Sequence, residues 1–289
     1  MITRDDIDEL IKINPDIHMI DIIEHDVICK IGNKNKYLYH EYIILTHLHE
    51  LIIKKKLNNK IVNIPKIINF FPKHKNKKSI LILEKIKGVD LFNYITSHDI
   101  DNMTKLVIIY KIVLIINELH KNNISHGDIK LENFIIEFID CDTKNNKFND
   151  TFNKIKIWLI DFEFSTIDTK NISNKLGTFT YSSPELYFLG MYNTKENDIW
   201  CLGFLIYCVL NKSLPFDILD KKYENCNFHK IFLELNSEIK YYDVPLNIKK
   251  LLSKIFVFQN SRVKIKYIKN KFKTIIKNIN KIENSYFLL

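Results

Sequence analysis

Eight consecutive residues, His126-Gly127-Asp128-Ile129-Lys130-Leu131-Glu132-Asn133, constrain this chain of 289 residues more than any other stretch. They place an acid, a base two positions on and an amide five positions on within one short segment. Asp128 can accept a proton, Lys130 can reach an anionic group, and Asn133 can hold a metal ion. Standing alone, the same residues are also compatible with a polar turn. A second element follows: an apolar segment, residues 155–160, ends in Asp161-Phe162-Glu163. An acid closing a buried strand is well placed to bind a divalent cation through its oxygens. The two patterns reinforce one another because they occur in this order.

Around these elements the chain divides in character. Residues 7–13, 17–23 and 26–31 are rich in β-branched side chains and are broken by Asn14-Pro15-Asp16 and Glu24-His25, which reads as strands joined by turns. Residues 41–56 set Ile44, Leu45, Leu48, Leu51 and Ile52 on one helical face. Residues 79–83 form a continuous apolar run and read as a buried strand. Helical patterns then dominate, at 104–121, 197–211 and 263–281, while the polar stretch 141–154 reads as a surface loop. The expectation is an α+β fold of two lobes, a small strand-rich one over 1–86 and a larger, mainly helical one over 87–289, with a hinge near 85–88.

Apolar residues make up 46% and charged residues 27%, a balance that excludes wholesale disorder. The net charge of +9 fits either acidic partners or solvated lysine faces, and no DNA- or RNA-binding motif accompanies it. The five scattered cysteines include no CxxC pair and suit a reducing compartment. Residues 1–8 are acidic and polar, with no signal peptide visible. The longest apolar run, 199–210, is shorter than the roughly 20 residues a bilayer crossing takes. A soluble intracellular protein without membrane partners is expected.

Further segments match one known family in order and spacing. Gly177-Thr178-Phe179-Thr180-Tyr181-Ser182-Ser183-Pro184-Glu185 resembles the end of a kinase activation segment, with Ser-Pro-Glu for the usual Ala-Pro-Glu. Asp198-Ile199-Trp200-Cys201-Leu202-Gly203 resembles the Asp-x-Trp-x-x-Gly of the buried central helix, and Arg262 stands where the family pairs an Arg with the Glu matching Glu185. Leu83-Glu84-Lys85-Ile86-Lys87-Gly88-Val89-Asp90 resembles the hinge, and Val27-Ile28-Cys29-Lys30 the Val-Ala-x-Lys strand. The chain thus resembles the eukaryotic-type protein kinases over roughly residues 7–275, most specifically from 81 to 203. That resemblance implies ATP and Mg2+ as cofactors and a protein as substrate. It implies Asp128 as catalytic base, Lys130 as phosphate ligand, and Asn133 and Asp161 as magnesium ligands. It further implies that Lys30, oriented by Glu41 with Glu50 as rival, binds the α/β-phosphates, and that the backbone at Glu84 and Ile86 meets adenine. Lys130 with Thr178 is the serine/threonine-kinase pattern.

Three features depart from the family. The only glycine before Gly88 is Gly32, so Asn14-Pro15-Asp16 occupies the turn where a glycine-rich loop covers phosphates; proline removes a backbone donor there. Gly127 replaces the arginine that reads a phosphorylated activation loop, which implies activity independent of such phosphorylation at Thr169 or Ser173. Glu163 replaces the glycine of Asp-Phe-Gly, so the Asp161-Phe162 pair should flip less readily. Ile28, in place of a small residue over adenine, narrows that pocket. A pseudokinase binding module, and a phosphotransferase of the choline-kinase or aminoglycoside-kinase type, are the alternative readings. The second shares a His-x-Asp loop but lacks the Gly-Thr…Ser-Pro-Glu and Asp-x-Trp segments.

Overall fold

A computed structural model describes residues 3–13, 18–22, 25–32, 35–73, 78–139, 148–168, 171–172, 177–186, 192–216, 239 and 244–286. Helix α1 (Arg4–Ile13) leads into strands β1 (Met19–Ile22) and β2 (Val27–Gly32). Helix α2 (Asn35–Ile53) precedes β3 (Ile67–Phe71) and β4 (Ser79–Glu84). These strands make one antiparallel sheet in the order β1-β2-β4-β3.

The alternation of β2 decides which face does what. Val27, Cys29 and Ile31 are buried against Ile7 of α1 together with Ile80 and Ile82 of β4, while Ile28 and Lys30 face the other way. That second face receives α2, whose Ile44, Leu45 and Leu48 pack with Leu81 and Leu83.

The strand expected over residues 7–13 is instead α1. Thr3 starts it: its hydroxyl accepts the Asp6 N–H at 3.3 Å while the Asp6 carboxylate takes the Thr3 N–H at 2.7 Å. This reciprocal cap, acids in the first turn, and Ile7 and Ile11 four residues apart on one buried side outweigh the β-branched composition.

The remainder is mainly helical. It opens with β5 (Val89–Asp90) and helices α3 (Leu91–Ser97) and α4 (Asn102–Lys121), then β6 (Ile124–Ser125) and β7 (Phe134–Phe138). Helix α5 (Phe148–Lys154), β8 (Ile155–Leu159), β9 (Thr166–Ile167), α6 (Thr194–Asn211), α7 (Leu246–Ile255) and α8 (Ile265–Tyr286) follow. Asp101 caps α4 by accepting the N–H groups of Met103 and Thr104, and Asn193 caps α6 through the N–H of Glu196. Helix α6 is buried almost all round, which makes it the axis of the helical part. Trp200 on it is fully buried, stacked edge-on to Phe256 with ring centroids 5.0 Å apart.

The stretch 141–154, read as a loop, is corrected over its last seven residues, which form α5. Phe148 and Phe152, one turn apart, press against Tyr110 of α4, and the Asn and Asp between them disguise that face. Among the described residues no helix is long and apolar enough to cross a membrane.

Candidate functional site

The segment that links β6 to β7 is held from beneath by one acid. Asp198 of α6, with no exposed surface, accepts the backbone N–H of His126 and of Gly127, each at 2.9 Å, and lies 2.8 Å from His120 Nε2. Gly127 is required where it stands. Its φ is +84°, and an added Cβ would sit 2.3 Å from the Phe164 carbonyl oxygen. An arginine is therefore excluded by the backbone itself, not only missing from the sequence.

This anchoring aims Asp128 upward with its carboxylate shared. Oδ1 accepts the Thr178 N–H at 2.7 Å; Oδ2 lies 3.1 Å from Asn133 Nδ2 and 2.9 Å from Lys130 Nζ. Lys130 also donates to Thr178 Oγ1 at 2.9 Å. Asn133 spends its amide hydrogens on the carbonyl and carboxylate of Asp128, leaving its oxygen to an incoming cation.

The opposite wall is a cluster of three charged residues drawn from three elements. Lys30 Nζ on β2 lies 2.8 Å from both carboxylate oxygens of Glu41 on α2 and 2.9 Å from Asp161 Oδ1, just past β8. Glu41, with no exposed side-chain surface, also takes the Phe162 N–H at 3.3 Å. Phe162 is buried edge-on to His126 with centroids 5.1 Å apart, so the two walls touch behind the cleft. Glu50, the rival to Glu41, is spent in an exposed pair with Lys54.

The charges in the cluster set one another. Burial works against the Lys30 ammonium, but Glu41 and Asp161 outweigh it and hold its pKa above the ordinary lysine range. Burial raises the Glu41 carboxyl more than Lys30 lowers it. Asp161 goes the other way: burial is overcome by Lys30, and its carboxyl lies below the usual value. Glu163 is raised, first by burial and then by the like charge of Asp161.

Glu84 and Ile86 stand apart from this network. Glu84 ends β4 opposite Val27 and gives its N–H to the Lys66 carbonyl at 2.9 Å; Ile86 follows with its side chain buried. Ile28 shares the cleft-side face of β2 with Lys30. Asp90 caps α3 by accepting the Asn93 N–H at 2.9 Å. Asn14, Pro15, Asp16, Thr169 and Ser173 lie outside the described residues.

Two side chains that sequence reasoning passed over tie the walls together. His40, next to Glu41, reaches the Ser165 carbonyl at 2.7 Å, and the Ser165 hydroxyl donates to the His126 carbonyl at 2.9 Å. No local pattern marks them; their link spans 125 positions. Farther off, Arg262 and Glu185 form a sealed pair at 2.9 Å, with the guanidinium also donating to the carbonyls of Ile255, Glu196 and Val257.

Known proteins are similar to this chain in sequence. The protein kinase domain matches the chain over residues 21–279, and the chain belongs to the protein kinase family. It is 36% identical over 168 residues to serine/threonine-protein kinase ppk6 of Schizosaccharomyces pombe. That alignment takes in 55% of this chain and 19% of the yeast protein, so the matched stretch spans about a fifth of that relative's length.

Proposed function

We propose that this chain transfers the γ-phosphoryl group of ATP to serine and threonine hydroxyls of protein substrates, with residues 1–86 and 87–289 as its two lobes. The observation that carries the reading is the cluster in which one amine, Lys30 Nζ, is held within 2.9 Å of both Glu41 and Asp161. It puts a fixed cation beside an acid at a strand end, across from Asp128 and Lys130.

In this reading Asp128 accepts the substrate hydroxyl proton, and Lys130 neutralises charge on the transferring group. Lys30, positioned by Glu41, takes the α/β-phosphates, and the backbone at Glu84 and Ile86 takes adenine. Positioning and charge neutralisation are what this transfer chiefly requires. Among the described residues no three His, Cys, Asp or Glu stand together to hold a metal. The set present, one Asp161 carboxylate and the Asn133 amide oxygen, fits magnesium, which keeps its waters and uses one or two carboxylates plus substrate phosphates. Bound there by Asn133 and Asp161, it would neutralise charge on the phosphate oxygens. Serine/threonine choice is supported by Lys130 donating to Thr178 at 2.9 Å and by the yeast relative's name.

A second reading, a nucleotide-binding module without turnover, rests on the lack of any glycine ahead of Lys30, where a glycine-rich loop would cover phosphates. Labelled ATP, a metal series and protein, choline and aminoglycoside acceptors separate these. Label on serine and threonine of protein with Mg2+ is expected. Label on tyrosine overturns the residue choice, label on a small acceptor overturns the substrate class, and nucleotide binding without transfer favours the module.

A further inference from the structure

Behind the segment that carries Asp128 lies a half-open cavity of about 480 Å3, bordered by the last turn of α4 and the first turns of α6 and α8. Five lysines line it: Lys121, Lys195, Lys264, Lys266 and Lys269. Lys121 is tied to Glu118 at 2.7 Å, and Lys264 to Glu196, the one carboxylate among the described residues of the lining. The other three have no carboxylate partner among the described residues; Lys195 bonds the Asn123 side-chain oxygen at 2.9 Å. Three like charges around one concavity repel one another until a counter-charge is placed between them.

Backbone adds to the field. The residues lining the cavity include positions 193, 195 and 196 at the start of α6 and 264–266 at the start of α8, helices of 18 and 22 residues. Their positive ends therefore face the same space. Burial lowers the Lys195 pKa, Asp168 and Asp198 oppose that, and Lys264 adds to it least of the four.

We propose that this cavity binds a small, multiply phosphorylated anion, at a site separate from the catalytic cleft. Its floor is not remote from the chemistry. His120 lines it and lies 2.8 Å from Asp198, the acid that fixes the N–H groups of His126 and Gly127. An anion seated there is one side chain away from the support of Asp128.

Calorimetric titration of the full chain with tripolyphosphate, and separately with inositol hexakisphosphate, tests this. The tighter of the two identifies a linear or an inositol-borne phosphate array. Three proteins are compared: wild type, a cleft variant Lys30→Met, and a Lys266→Ala/Lys269→Ala double variant. Lys266 is exposed and Lys269 half-exposed, so the double variant keeps its fold; the exposed Lys121→Gln serves as a second variant. Saturable binding that survives Lys30→Met and weakens at least about tenfold in the double variant is expected; that is about 1.4 kcal/mol. Any other result, whether no saturation, loss with Lys30→Met, or equal affinity in the double variant, overturns the proposal.

Discussion

Two glutamates in this molecule each hold a cation at 2.8–2.9 Å, and the two pairs have little else in common. Arg262 and Glu185 have no exposed side-chain surface, and the guanidinium spends three of its other donors on backbone carbonyls. Lys30 pairs with an equally buried Glu41, yet its own side chain is 21% exposed and it shares itself with a second acid, Asp161. A sealed pair has no way to exchange partners, so its charge serves only the packing around it. A pair open on one side, with a surplus of negative charge, can pass its cation to an incoming phosphate.

The largest effect should fall on the sealed pair. Arg262→Ala leaves Glu185 buried and uncompensated, which typically costs about 3–5 kcal/mol. Thermal melts should show marked destabilisation; a melting temperature equal to wild type would break the comparison at its firm end. The open pair should behave oppositely. Lys30→Met is expected to lower phosphoryl transfer by about 100-fold or more, the scale of removing a charge stabiliser at the reacting phosphate. Its effect on the melting temperature should be the smaller of the two, because Lys30 already borders the cleft.

The smallest effect tests the surplus charge. Glu163 has a raised carboxyl in the folded chain, owing first to burial and then to Asp161. Its protonated form therefore favours folding below its unfolded value of 4.5, and that advantage is lost as pH rises through the higher folded value. Glu163→Gln should raise the melting temperature at pH 7 by an amount on the order of 1–2 °C, with no gain near pH 4. A lowered melting temperature at pH 7 would mean that ionised Glu163 has a stabilising partner.

How much of this was visible in the chain beforehand depends on sequence distance. The residues around Asp128, those ending at Asp161, and the Asp198 and Glu185 segments were legible because each packs its chemistry into a few consecutive positions. Lys30 and Glu41 lie 11 residues apart; the first was marked by the resemblance of residues 27–30 to the family's strand, and the second by the helical spacing that follows it. Helix α1 was misread because its cap, Thr3 with Asp6, carries less weight in composition than its isoleucines do. Helix α5 was hidden by the polar residues between Phe148 and Phe152. The His40–Ser165–His126 link and the lysine cavity draw on positions far apart in the chain, where only the fold brings them together.

The central claim is that an acid just past β8 holds the metal that serves transfer, and Asp161→Asn tests it most directly. Asp161 has φ of +66°, a left-handed conformation that asparagine also adopts readily, so the substitution removes charge with little backbone strain. With labelled ATP and Mg2+, transfer to protein should fall by about 100-fold or more, while the melting curve stays close to wild type. Activity retained within about threefold of wild type, well short of that loss, would contradict the assignment and the reading of the cleft built on it.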